Sequence, residues 1–435
     1  MKRTILLLAA LLAAAGAAAQ EVGRIFRTEA VPYDLRRDAE RGDRAKSGHT
    51  IDFSPGMVSA SDRSFVVGQR VDIPYVWTDG VVGLHLENVR SAYTLRVNDC
   101  EVARVEDPST PAEFDLTECI RQGANDIRLE LRDSGAERIN TAPTTREAFS
   151  GSYLYYQNKR SIRDFEIALV ADTAGRRFGM LDLKIIARNA FNYDESVTVG
   201  FDIYSPQGKL LEFNMKEVTI PGRSTDTVRF SPYIYGTYDN VWSADRRNPP
   251  LYRVMLFTRR DGAYKEYMPL RIGFGRAELV DGRLMRLGRE LQLSTAPCNA
   301  AADRATTRRE LLALKVAGKN TVCPDCPQPA WFYELCDEVG LYVIDRANIN
   351  APDERTNRAV GGTPSNDPAL ADEYLERVKA MYYRSRNFTC VVAYALGGPS
   401  GNGYNMYKAY EWLKSVEHDR PVIYEDADGE WNSDL

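Results

Sequence analysis

Histidine is scarce in this 435-residue chain: only His49, His85 and His418 occur. Cysteine is sparse too, and the single Cys323-Pro324-Asp325-Cys326 motif has no second CxxC or histidine pair to go with it. A structural zinc site needs four such ligands, so none is expected. Basic residues are not in excess: 56 lysines and arginines face 61 acids, for a net charge of −5. That balance argues against a nucleic-acid partner, which favours a basic surface. Beyond the N-terminus no apolar run is long enough to span a membrane. No cysteine stands directly after the N-terminal apolar stretch, so a lipid anchor at that end is not expected either.

The N-terminus itself is informative. Lys2 and Arg3 precede an apolar stretch at 5–15, and Ala17-Ala18-Ala19 supplies small residues before Gln20. This is the pattern of a cleavable secretory signal over residues 1–19, which places the mature chain in the periplasm or outside the cell. Seven cysteines in an oxidising compartment leave at least one unpaired within the chain. Cys100 and Cys119 flank a loop and are candidates to pair. The CxxC reads as a local disulfide or as packing.

Periodicity divides the rest. Residues 20–60 are polar with little pattern and read as an arm. Short alternating runs punctuated by turns cover 61–167, as in Gly83-Leu84-His85-Leu86-Glu87, and suggest a jelly-roll β-sandwich. A second β-rich stretch, 168–274, suits an immunoglobulin-like sandwich. From 275 to 435 helical runs alternate with short apolar strands, beginning with Leu291-Gln292-Leu293, which implies a parallel sheet. The expected fold class is therefore multidomain, β plus α/β.

Particular motifs sharpen this. Pro111-Ala112-Glu113-Phe114-Asp115-Leu116-Thr117 resembles P-A-E-F-D-I-T. Gly151-Ser152-Tyr153-Leu154 with Gln157 resembles G-S-Y-L-E-D-Q-D, and Val241-Trp242-Ser243-Ala244 resembles L-W-S-A. Leu335-Cys336-Asp337 through Gly340-Leu341-Tyr342-Val343 to Asp345 resembles L-C-D-x-x-G-L-Y-V-x-D. Together they are similar to glycoside hydrolase family 2, the family of β-galactosidases and β-glucuronidases. The resemblance implies a jelly roll, an immunoglobulin-like domain and a TIM-type (β/α) barrel.

The departures are equally specific. The family's S-L-G-N-E-S-G motif carries the acid/base glutamate, and here it reads Ala395-Leu396-Gly397-Gly398-Pro399-Ser400-Gly401. Gly398 stands for the asparagine and Pro399 for the glutamate, and proline cannot move a proton. A retaining glycosidase needs two carboxyl groups roughly 5–5.5 Å apart. The second, the nucleophile, would lie on a later strand. About 160 residues follow Gly273, against about 250 in a complete barrel, so an incomplete barrel of about five strands is expected. In D-E-A-N-I-E the last glutamate, a magnesium ligand in the β-galactosidases, is Asn350, and Pro352 replaces a ligand histidine. The resemblance therefore implies neither a catalytic residue nor a metal or other cofactor.

The surviving candidates for a degenerate pocket are Asn299, Asp325, Asp345, Arg346, Asn350, Tyr394 and Glu425. Tyr153, Tyr155, Tyr156 and Asn158 replace or neighbour the acids of E-D-Q-D and are candidates for stacking on sugar rings. Read from the residues alone, Asp345 orients backbone, Glu425 ends a strand in solvent, and the tyrosines are cross-strand packing. The expected role is a non-catalytic one, binding a glycan or a protein, with a second copy as a candidate cover for the open barrel. The alternative is an active hydrolase using Asp325, Asp345 or Glu425, or a partner chain.

Overall fold

The computed structural model describes residues 24–60, 65–107, 110–132, 139–140, 146–172, 177–353 and 355–435. The expected secretory signal lies outside them. Two antiparallel five-stranded sheets form the first sandwich. Leu84, Leu95, Phe114, Ile127, Leu129 and Leu154 are fully enclosed between them. The segment expected to be a polar arm is woven into both sheets. Arg24–Ile25 pairs with the strand Ala112–Asp115, Thr50–Asp52 pairs with Tyr153–Asn158, and Gly56–Ala60 pairs with Phe65–Ile73. Ile25 and Phe53 are buried. Strands of two, three and five residues suffice at a sheet edge but are too short to register as a period.

The second sandwich packs Arg160–Ala171, Gly179–Asn189 and Ser224–Phe230 against Leu210–Ile220, Glu195–Tyr204, Tyr252–Arg260 and Ala263–Ile272. Gly179–Asn189 alternates strictly, burying Leu181, Leu183, Ile185 and Ala187. Because Arg160–Ala171 lies wholly in this sandwich, the boundary falls at Lys159 and not at 167.

A three-stranded antiparallel sheet, residues 277–290, leads into five parallel strands. These are Thr295–Pro297, Thr321–Cys323, Tyr342–Arg346, Val391–Ala395 and Val422–Ile423, neighbours in chain order. The first strand therefore follows Leu291-Gln292-Leu293. Helices Arg304–Val316, Ala330–Val339, Ala371–Ser385 and Tyr404–Val416 connect or flank the strands. Asp303 caps the first helix by accepting from the Thr306 N–H at 2.9 Å. Gly340, at φ +77°, ends the second. Among the described residues the first and fifth strands are not paired, so the sheet stays open. Cys100 and Cys119 form a disulfide, while Cys323 and Cys326 are free thiols in the barrel wall.

Candidate functional site

The C-terminal ends of the parallel strands bring part of the expected set together. Asn299 donates through Nδ2 to Asp325 Oδ2 at 2.9 Å, and the Asp325 N–H donates back to Asn299 Oδ1 at 2.9 Å. Arg346 approaches the other Asp325 oxygen at 3.9 Å. Asn299 and Asp325 are exposed and Arg346 is half-buried. Three successive strand ends thus share one polar patch.

Asp345 is not part of it. Along Tyr342–Arg346 the less buried positions are Ile344 and Arg346, while Val343 and Asp345 face inward. Successive side chains of a strand point to opposite faces. Asp345 is fully enclosed and accepts from Tyr333 Oη at 2.9 Å and from the Arg346 N–H at 3.1 Å. Burial pushes its pKa up to about 6, against the lowering effect of its hydrogen bonds. Tyr394 pairs with Asp345 in register and is also fully buried, against Tyr382 and beneath the Arg420 guanidinium. Both expected pocket residues therefore belong to the helix-side core.

Asn350 is exposed and adjoins Gly398, where a Cβ would sit 3.1 Å from Asn350 Oδ1. The Gly398 N–H donates to the Ile349 carbonyl at 2.7 Å, and half-buried Pro399 follows. Glu425 is exposed after the last strand. Its neighbour Asp426, which the sequence reading missed, accepts from the Ser400 and Gly401 N–H groups at 2.7 Å each and so pins the Pro399 loop. A second missed group is Asn348, whose Nδ2 donates to Asp107 of the first sandwich at 2.6 Å while its Oδ1 accepts from Asn140 at 2.7 Å. Arg377 donates to the Asn348 carbonyl. Asn348 lies in the stretch matching D-E-A-N-I-E, which was the available signal.

The tyrosines offer no open face to a sugar. Tyr153, Tyr155 and Tyr156 are 1, 3 and 7% exposed. Tyr153 stacks on His85 with ring centroids 4.9 Å apart, under the Arg44 guanidinium. Tyr155 donates to Glu113 at 3.1 Å beneath Arg27, and Tyr156 stacks on Trp77. Asn158 is half-buried and accepts from Tyr156 Oη at 3.2 Å. Gly83 and Gly80 lie opposite in the neighbouring strand, and a Cβ at either would overlap the Tyr155 or Tyr156 ring. Missing side chains on one strand make room for aromatic ones on the next.

Beneath these rings sits a charged cluster. His85 Nδ1 lies 3.1 Å from Glu113 and Nε2 lies 3.0 Å from Glu87, with Glu29 at 3.7 Å. Burial alone would lower the His85 pKa, but the three carboxylates outweigh it and raise it to about 9. Glu113 is held down at about 2, since Arg27 and His85 overcome its burial. The ligand atoms of Glu29, His85 and Glu87 lie close enough for a metal ion. Arg384 already lies against Glu29 and Glu87, and Arg27 against Glu113, supplying the positive charge a cation would bring. The cluster fits an ion network better than a metal centre.

Residues 300–434 match the model of the glycosyl hydrolases family 2 TIM barrel domain. Over 352 residues the chain is 28% identical to a β-galactosidase of Pectobacterium atrosepticum, covering 78% of this chain and 33% of that protein. A Vibrio cholerae β-galactosidase is 29% identical over 358 residues, covering 78% and 34%. The chain thus spans about a third of the length of these curated relatives. Among solved structures, a family 2 member from Bacteroides cellulosilyticus has a TM-score of 0.67 at 17% identity, over 83% of this chain and 49% of that one. A β-glucuronidase from Bacteroides uniformis has a TM-score of 0.68 at 15% identity, over 83% and 46%. At these identities the structural likeness speaks for the fold alone.

Proposed function

Since the chain is a β-galactosidase-like relative within glycoside hydrolase family 2, we propose that it acts without hydrolysis, as a secreted or periplasmic scaffold that contacts carbohydrate. The observation that carries this reading is Pro399, held in a pinned loop where the family motif has its acid/base glutamate. A ring with no titratable proton cannot protonate a leaving group. The other carboxyl groups do not replace it well. Asp325 is engaged by Asn299 and Arg346. Asp345 has a pKa suited to acid catalysis but no exposure to a substrate. The donor set at the family's magnesium position does not fit that ion either. Asn350 offers an amide and Pro352 no side-chain donor, whereas magnesium prefers carboxylate and water oxygens. The exposed amide and carboxylate of Asn299 and Asp325 and the half-buried guanidinium of Arg346 are suited to pairing with sugar hydroxyls. The Cys100–Cys119 disulfide is in keeping with an oxidising compartment.

The test is turnover of a chromogenic β-galactoside beside calorimetric binding of galactosides by the full chain. The expected result is no turnover above buffer, for both the wild type and Pro399→Glu, with binding weakened by Asp325→Ala. Turnover by the wild type that vanishes in Asp325→Asn or Glu425→Gln would establish the hydrolase reading instead.

A further inference from the structure

A cavity of about 460 Å³ lies where the first sandwich, the N-terminal segment and the starts of two barrel helices meet. Its size is within the roughly 300–1,000 Å³ usual for small-molecule sites. Among the described residues, two buried acceptors on its wall have no donor: Glu87 Oε2 and Asn88 Oδ1, on residues 5 and 3% exposed. Neither can turn away. Asn88 is fixed by donation from Nδ2 to the Ser150 carbonyl at 2.8 Å. The other Glu87 oxygen is engaged by His85 at 3.0 Å, and Arg146 stands 3.8 Å from Oε2, beyond hydrogen-bond distance. Burial pushes the Glu87 pKa up, but Arg384, His85 and Arg146 outweigh it and keep the group ionised.

The wall then specifies its ligand. Both unmet groups are acceptors, so the occupant brings donors. The formal charges cancel, Arg44, Arg146 and Arg304 against Glu29, Glu87 and Glu334, so a net ion gains little. Half-buried Trp331 adds an indole to the same wall. Hydroxyl donors, no net charge and an apolar face for an indole describe a saccharide. We propose that this junction cavity is a saccharide-binding site, separate from the strand-end patch and independent of it.

Lactose titrated into the full chain by calorimetry tests this. Trp331→Ala removes the indole. Ala302→Trp fills the mouth from an exposed rim position without touching the core. Each is expected to weaken binding roughly tenfold or more, equivalent to about 1.4 kcal/mol, with the melting temperature unchanged in Ala302→Trp, so that loss of binding there is not loss of fold. Asp325→Ala, which weakens the strand-end patch, is expected to leave a second lactose-binding component that Ala302→Trp removes. Binding that survives Ala302→Trp but is lost in Asp325→Ala would place lactose at the strand ends and overturn the junction site. No binding by the folded wild type, or a lactose-soaked crystal with only water against Asn88, would also overturn it.

Discussion

His85 and Asp345 are both fully buried and both carry raised pKa values, so each loses stability as pH rises, in different windows. His85 is raised to about 9 by Glu29, Glu113 and Glu87, against the effect of burial. Its contribution is fully present below the unfolded value of about 6.5 and is lost as pH rises through about 9. Urea unfolding across that window should show falling stability, and His85→Gln should flatten the slope. Asp345 is raised to about 6 by burial, so the folded state binds more protons than the unfolded state between about pH 4 and 6. Its ionisation therefore costs stability at neutral pH. Asp345→Asn keeps an acceptor for Tyr333 and the Arg346 N–H. It should raise stability at pH 7 by on the order of 2 kcal/mol, measurable as a higher denaturation midpoint. That Asp345 and Tyr394 face the helices was not legible in the sequence. In a parallel sheet covered on both faces, inward and outward positions are both apolar or both polar enough to mislead.

The elements around the strand ends depend on a few local devices. Asp303 supplies the cap of Arg304–Val316, and Asp303→Ala should cost about 1 kcal/mol in chemical denaturation of the barrel part. Gly401 has φ +67°, and a Cβ there would overlap the Arg355 carbonyl oxygen. Gly401→Ala should therefore cost roughly 1–3 kcal/mol and loosen the Pro399 loop, visible as faster hydrogen exchange at Ser400 and Gly401. The helical runs of the α/β part were readable, because the apolar faces of helices such as Ala330–Val339 and Tyr404–Val416 repeat over about three turns. The edge strands of residues 24–60 were not, since pairing with a distant strand creates them.

The whole molecule is held together by buried charge that crosses between its parts. Arg384, on the barrel helix Ala371–Ser385, lies against Glu29 of the N-terminal segment and Glu87 of the first sandwich. Arg386 reaches Asp164 of the second sandwich at 2.7 Å. Removing one partner of such a pair leaves a buried charge uncompensated. Arg384→Met should cost about 3–5 kcal/mol and speed proteolysis in the connection at 272–295, read by limited digestion. The cavity walled by Glu87, Asn88 and Trp331 exists only because these same parts meet, so no single stretch of sequence could have announced it.

Sequence alone determined the order of two β-sandwiches and a parallel α/β part, because periodicity is a local property, and it supplied the motif resemblance on which the proposed role of Pro399 rests. It also named Asn299, Asp325 and Arg346, although it placed the strand before Asn299 too early, at Leu291-Gln292-Leu293. Tertiary structure alone decided that the tyrosines are buried, that Asp345 and Tyr394 turn from the site, and that Asp426 pins the loop beside Pro399. Those outcomes depend on which strand lies beside which and in what register: Gly83 opposite Tyr155, Asp345 beside Tyr394, Asp426 beneath Gly401. Such neighbours are set by packing between residues far apart in the chain, and no local pattern encodes them.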